Sequence, residues 1–344
     1  MIDTAIKIIK IILIVLITSC TSKNDVKVVD LKVSDHIQID SLYPEMKSLY
    51  DFCVDDDNSI YILDYGKRNI YIIDELGNNR SFGAKGTGPG EFLSPGSLYL
   101  FNNHIYVYDI KNKSINIFAK NGDFINREAL DFCPRFCQEL NDTSYIGFNF
   151  DVIEKANKLI MTSHLVRIGQ GLFRQTIVEN NICESSNGIS YYDDDVFFPF
   201  TIDKKNGILF YAPNSRNDFK VIRKDTNSGE EQIYLSKPYL KIPYSEKDNE
   251  NRMVFKIGNV SDETIKKDNY KKSINNLFLD SDGRLFIQVA SKKDSITFEV
   301  YENSNLIEII NIDYPDGDYI VKMSRDKIYI LDRERNIILV YSNF

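Results

Sequence analysis

Tryptophan is absent from this 344-residue chain, and histidine occurs three times, as His36, His104 and His164. The first absence removes the widest aromatic platform for stacking a sugar, leaving Tyr to substitute. The second makes a histidine-built metal centre a poor expectation, since such sites draw several ligands together. Alanine is also scarce, with seven copies, which argues against long helices. No G-x-S-x-G nucleophile motif is present. The one long apolar run, Ile11 to Ile17, is too short to cross a membrane as a helix, which takes about 20 residues. Positive charge is in deficit, with a formal net charge of −8. Residues 1–19 hold Asp3, Lys7 and Lys10, a net +1, so the remainder stands at −9 and nucleic acid is not an expected partner.

The short apolar run has a role of its own. Lys7 and Lys10 precede it and Thr18-Ser19-Cys20 closes it, the order of a secretory signal. The string ITSC resembles a lipobox, in which the cysteine becomes the acylated first residue. Residues 1–19 are therefore expected to be a lipoprotein signal peptide and Cys20 the lipidation site, with 20–25 a polar tether. At about 0.8 kcal/mol per buried methylene, several acyl chains hold a protein at a membrane essentially permanently. The membrane is thus the first expected partner and the bacterial outer membrane the expected location, facing either the periplasm or the outside. An ordinary signal peptide, or an uncleaved anchor, is the plainer alternative.

Cys53, Cys133, Cys137 and Cys183 remain, an even number that permits disulfides in an exported protein. On one strand, Cys133 and Cys137 would lie about 13 Å apart, beyond disulfide reach. No second cysteine pair or paired histidine supports zinc. Unpaired thiols are the expectation, with one bridge left open.

Twenty-one Tyr, 21 Phe and abundant Ile and Val favour strands, and the strands come in repeats. VDDDNSIYILDYGKRNIYIIDELGN, from Val54 to Asn78, returns as LFNNHIYVYDIKNKSINIFAKNGD from Leu100 to Asp123. It returns again from Leu279 to Asn303 and from Met323 to Asn343, with weaker copies from Tyr145 to Val166 and from Thr201 to Asp225. Each copy alternates apolar strands with turns such as Asp282-Gly283 or Asn102-Asn103. Asp64 to Asp109 spans 45 residues and Ala290 to Asp332 spans 42, the length of one four-stranded propeller blade. A blade cannot bury both faces of its sheet alone, so six copies stacked about an axis are expected over residues 26–344. The surplus between Ala212 and Ala290 marks an insertion around 236–273, partly helical or a concealed seventh blade. Val26 to Val33 reads as an N-terminal strand that closes the last blade.

Between the first two copies lies FGAKGTGPGEFLSPGSLYL, from Phe82 to Leu100. With its neighbours it resembles the linker of NHL-repeat propellers, and the whole chain is similar to six-bladed NHL-like lipoproteins of Gram-negative envelopes. Gly83, Gly86, Gly88 and Gly90 would be a structural loop, because no GK[ST] follows to suggest a phosphate site. Asp64, Asp109 and Asp332 match a recurrent acidic position of that family, read as carboxylates that accept backbone N–H bonds at a turn.

The expected function is a binding or scaffolding module for a protein, peptide or glycan. Tyr191, Tyr192, Asp193, Asp194 and Asp195 form the candidate ligand loop, since rings beside carboxylates suit polar ligands or a cation. The alternative is a propeller enzyme. The resemblance implies lyases and lactonases with a metal at the axis; here that would be an oxygen-only calcium site or a carboxylate pair. No catalytic residue and no resident cofactor beyond calcium suggests itself.

Overall fold

The computed structural model describes residues 26–344 apart from 47, 170, 172, 187, 193–195, 214–216, 247–253, 259–269, 292–294, 315–316 and 343. Six antiparallel sheets follow one another along the chain, each pairing its strands in sequence order from the axis outward. Blade 1 runs through Leu49–Val54, Ile60–Asp64, Asn69–Ile73 and Asn79–Phe82, and blade 2 through Pro95–Phe101, His104–Asp109, Ser114–Ala119 and Phe124–Ala129. Blade 3 consists of Arg135–Asn141, Ser144–Lys155, Lys158–Gly169 and Arg174–Ser185, and blade 4 of Phe200–Asp203, Ile208–Tyr211, Phe219–Asp225 and Glu231–Lys237. Blade 5 holds Ile274–Leu279, Leu285–Val289, Ser295–Glu302 and Asn305–Asp313, and blade 6 holds Tyr319–Ser324, Lys327–Asp332 and Ile337–Tyr341. This is the six-bladed β-propeller expected from the repeats.

Stacking explains why the second strand of each blade is apolar at consecutive positions. In Ile60–Asp64 every residue is buried, because neighbouring blades cover both faces of the sheet. Ile60 and Ile62 pack with Tyr329, Leu331 and Ile338 of blade 6. Tyr61 and Leu63 point the other way, onto Leu98, Ile105 and Val107 of blade 2. At about 1.5–3 kcal/mol per buried aliphatic or aromatic side chain, these shared interfaces supply most of the ring's cohesion.

An N-terminal strand does close the last blade, but the residues differ from those expected. Asp35–Gln38 pairs antiparallel with Ile337–Tyr341 as the missing outer strand of blade 6. The earlier segment Lys27–Leu31 instead adds to the edge of blade 5, parallel to Asn305–Asp313. The chain therefore straddles the seam between blades 5 and 6 before it enters blade 1. A parallel addition at an edge needs only a free row of backbone groups, and nothing in a five-residue apolar pattern says which edge will provide it.

Blade 3 departs most from the repeat. Its Ser144–Lys155, Lys158–Gly169 and Arg174–Ser185 strands have 12 residues each, twice the length of most others. Against their overhang lies a separate antiparallel pair, Gly188–Tyr192 with Val254–Gly258. The second of these comes from the insertion, whose described part contributes this strand and an isolated bridge between Pro243 and Tyr270. A strand of the insertion thus comes to lie against blade 3, which no local pattern in it announces.

Candidate functional site

The residues that recur in the repeats turn out to hold blades together. Asp109 is fully buried and accepts from the Leu93 N–H at 2.7 Å, the Ser94 N–H at 2.9 Å and Asn112 Nδ2 at 2.8 Å. Asp64 accepts from the amides of Ser48, Gly66 and Lys67. Asp332 accepts from those of Glu334 and Arg335 and from the Tyr314 hydroxyl at 2.7 Å. Each carboxylate ties the turn after a blade's second strand to the linker that precedes its first. The glycine loop between the first two blades is likewise bonded within the protein. Arg127 donates to the carbonyls of Thr87, Gly88 and Glu91, and the Gly88 N–H donates to Glu91 Oε2 at 2.7 Å. Several of the loop's polar groups are thereby bonded within the protein.

The ligand loop expected from sequence is only partly visible. Tyr191 is buried, stacked on Phe255 with centroids 5.4 Å apart and edge-on to Phe150 at 6.1 Å. Burial pushes its phenol pKa up. Its ring is therefore committed to joining the insertion strand to blade 3, and it does not stand free for a ligand. Tyr192 has its backbone paired with Val254; its side chain and Asp193, Asp194 and Asp195 lie outside the described residues.

A different place has the shape of a binding site. Along the axis runs a cavity of about 600 Å³, lined from the inner strands of all six blades. That volume lies in the range of sites for drug-sized molecules, roughly 300–1,000 Å³. Phe136 occupies the start of blade 3's inner strand with φ at 52°, at a register shift between Arg135 and Gln138. A bulky residue in the left-handed region is a strained exception, of the kind that gathers at ligand sites. Phe136 is 43% exposed, within this lined cavity, and its ring meets that of Phe197 at 4.3 Å.

Charges and amides complete the lining. Lys322 of blade 6 reaches across to Asp51 of blade 1 at 3.4 Å. Lys204 pairs with Glu139 at 2.6 Å, and Lys120 with Asp55 at 3.0 Å. Asn102, Asn103, Gln138, Asn275 and Asn276 line the same space. The thiols of Cys53 and Cys137 also line it, and burial pushes both well above the ordinary thiol range. Cys53, Cys133, Cys137 and Cys183 are all unbridged.

Among the described residues no three of His, Cys, Asp and Glu stand close enough together to hold a metal ion. The three histidines lie far apart in the fold. His36 is on the strand closing blade 6 and His164 is in blade 3 between Asp151 and Glu179. His104 begins the second strand of blade 2, bonded through Nδ1 to the Asn102 carbonyl at 2.7 Å. Sequence reading missed Phe136, Phe197 and the three lysines as cavity residues. No signal in DFCPRFCQ marks the reversed φ of Phe136, and the lysines occur at unrelated points of the repeat.

A family model described as 6-bladed beta-propeller matches residues 22–305. A member of the duf4221 family from Bacteroides vulgatus is similar in structure, with a TM-score of 0.53 at 13% identity over 93% of this chain and 98% of that one. A Bacteroides fragilis protein described as a candidate exported protein gives 0.52 at 16% identity, over 92% and 99%. At such identities the likeness shows the fold alone. No curated protein matches the sequence.

Proposed function

We propose a ligand-binding role for this chain, which belongs to the DUF5128 family, the 6-bladed beta-propellers. The site is the axial cavity, and the observation that carries the reading is the strained, part-exposed Phe136 within it. Backbone strain of about 1–3 kcal/mol persists only where surrounding structure enforces it, and here it presents a ring to a hollow of ligand size. Catalysis has less support. The Asp55 carboxylate already accepts from two backbone amides and the Tyr61 hydroxyl, and Asp51 and Glu139 are each paired with lysine.

The test is equilibrium binding of a panel of envelope glycans and short peptides to the wild-type chain and to Asn275→Trp, which fills the cavity from the blade 5 side. Binding that is lost in the filled variant supports the cavity. Binding that survives in a folded Asn275→Trp protein moves the site to an outer face and removes this reading.

The same proposal includes an address and a kinship. Lys7, Lys10, the apolar run and ITSC support acylation of Cys20 and display at the bacterial envelope. The structurally similar B. fragilis protein is described as a candidate exported protein, which agrees with export. The Phe82–Leu100 linker supports an NHL-like origin of the repeat. No helix among the described residues is long and apolar enough to cross a membrane. Metabolic labelling with a radioactive fatty acid tests the anchor: Cys20→Ser should lose both the label and the membrane fraction, and an unlabelled wild-type chain would sink the assignment.

A further inference from the structure

The strand Lys27–Leu31 stands nearest in sequence to Cys20, the residue proposed as the lipid anchor, and it is firmly held to the propeller. Its five residues pair in register with Glu308 to Ile312 on the outer edge of blade 5. Leu31 is buried among Phe298, Ile310 and Ile312. Lys27 Nζ meets the Glu308 carboxylate, itself buried, at 2.6 Å. The chain is therefore fixed to the ring from Lys27 onward. Six residue steps separate Val26 from Cys20, and at about 3.3–3.6 Å each they span at most about 20 Å. A compact domain of about 320 residues has a radius of gyration of about 20 Å, which makes it about 50 Å across. An anchor at Cys20 thus holds the blade 5 edge close to a bilayer, whereas the far side of the ring lies beyond its reach.

The edge that the anchor reaches is apolar on its outer side. Val26, Val28 and Val33 are 36%, 63% and 47% exposed, three valines within a stretch of eight residues. An edge strand that faces water ordinarily turns charged or polar side chains outward. The charges beside these valines are matched locally: Lys27 by Glu308, Lys32 by Asp313 at 3.8 Å, and Asp30 by Asn311 Nδ2, which donates to it at 3.3 Å. Contact made through this edge is consequently apolar and not electrostatic. Lipid is the occupant that the anchor itself supplies, because so short a connection keeps the valines at a high effective concentration beside the bilayer, however weak their own affinity.

We propose that the outer edge of blade 5, at its seam with blade 6, lies against the phospholipid surface, so that the propeller stands on its rim and both ends of its axis stay in water. This rests on acylation of Cys20 and is independent of what the axial cavity binds. The chain lacks Trp, so one introduced Trp is a unique fluorescent reporter. The core clusters join consecutive blades all the way round the ring, which puts blade 2 opposite blade 5. The reporters are Val28→Trp on the blade 5 edge and Ile125→Trp on the outer strand of blade 2, where Ile125 is 49% exposed. Each full-length chain, acylated in a bacterial host, is reconstituted into phosphatidylcholine vesicles with and without a lipid spin-labelled on its headgroup. Val28→Trp should lose emission to the spin label and be shielded from iodide in the water. Ile125→Trp should keep its emission and stay open to iodide. Val33→Trp reports from the same edge if Val28→Trp does not fold.

Equal losses from Val28→Trp and Ile125→Trp would mean that an end of the axis rests on the membrane, and would overturn the proposal; so would a greater loss from blade 2. A Val28→Trp shielded from iodide but untouched by the spin label is covered by protein, such as a second copy joined at this edge, and refutes the lipid as occupant. No loss from either reporter, in a chain that carries fatty acid and floats with the vesicles, refutes the surface and leaves the anchor standing. A chain without fatty acid that stays out of the vesicles removes the anchor and this surface together.

Discussion

Replacing Asp109 by Ala removes the carboxylate that joins the blade 2 turn to its incoming linker. Two backbone donors, the N–H groups of Leu93 and Ser94, then lose their partner in a buried setting, and so does Asn112 Nδ2. Hydrogen bonds to a charged acceptor are worth about 1.5–3 kcal/mol, and a buried donor left unpaired costs about 1–3 kcal/mol. Because the two amides are adjacent and share one acceptor, the losses overlap, and a destabilisation of about 3–5 kcal/mol is expected. That is a large part of the roughly 5–15 kcal/mol available to a typical domain. Urea unfolding followed by circular dichroism measures it, with Asp109→Asn falling between wild type and Ala because one oxygen acceptor survives. Asp123→Ala, at an exposed turn of the same blade, serves as the control and should match wild type. A shift in Asp109→Ala below about 1 kcal/mol would show that the linker finds other partners and that the repeated Asp is not a structural tie. Loss of ligand binding at unchanged stability would refute the structural role outright.

Other outcomes follow from the same geometry. Gly83→Ala should lower the melting temperature clearly, since φ is +89° and the new methyl would stand 2.7 Å from the Phe92 ring and 3.2 Å from the Arg68 carbonyl oxygen. Gly77→Ala, with φ +77° but nothing within 4 Å, should cost less; equal losses would mean that contact is irrelevant at Gly83. Tyr43, Tyr71 and Tyr108 have phenol pKa values pushed up to about 12 by burial. The folded state holds these protons more tightly than the unfolded chain, whose phenols titrate near 10, so the contribution is complete below about pH 10 and lost as pH rises towards 12. Spectrophotometric titration should therefore show delayed phenolate formation that coincides with unfolding, and simple titration near pH 10 by every tyrosine would contradict it. Burial raises the thiols of Cys53, Cys133 and Cys137, so they should react slowly with a disulfide reagent in the native protein and fast in denaturant; prompt native labelling would show an open route to the thiolate.

Much of the architecture was legible because a propeller repeats its local chemistry. The Asn102-Asn103 turn shows it: both residues adopt positive φ, 47° and 59°, the conformation that asparagine tolerates between paired strands. The Asp64, Asp109 and Asp332 ties were readable for the same reason, since a residue needed once per blade recurs at blade spacing. Tyr191 shows the limit. A run of rings and acids looks alike whether it faces solvent or a packed neighbour, and the neighbour here, Phe255, lies 64 positions further along the chain in the insertion.

By itself, then, the sequence determined the blade count, the all-β class, the turns and the buried acidic ties, because each depends on interactions within about 45 residues that every blade repeats. Only the tertiary structure decided which edge Lys27–Leu31 would join, where the insertion would settle and what would line the axis. Those outcomes depend on six strands from distant parts of the chain meeting at one place, so Phe136, Lys204 and Lys322 become neighbours of a single cavity only after the ring has closed.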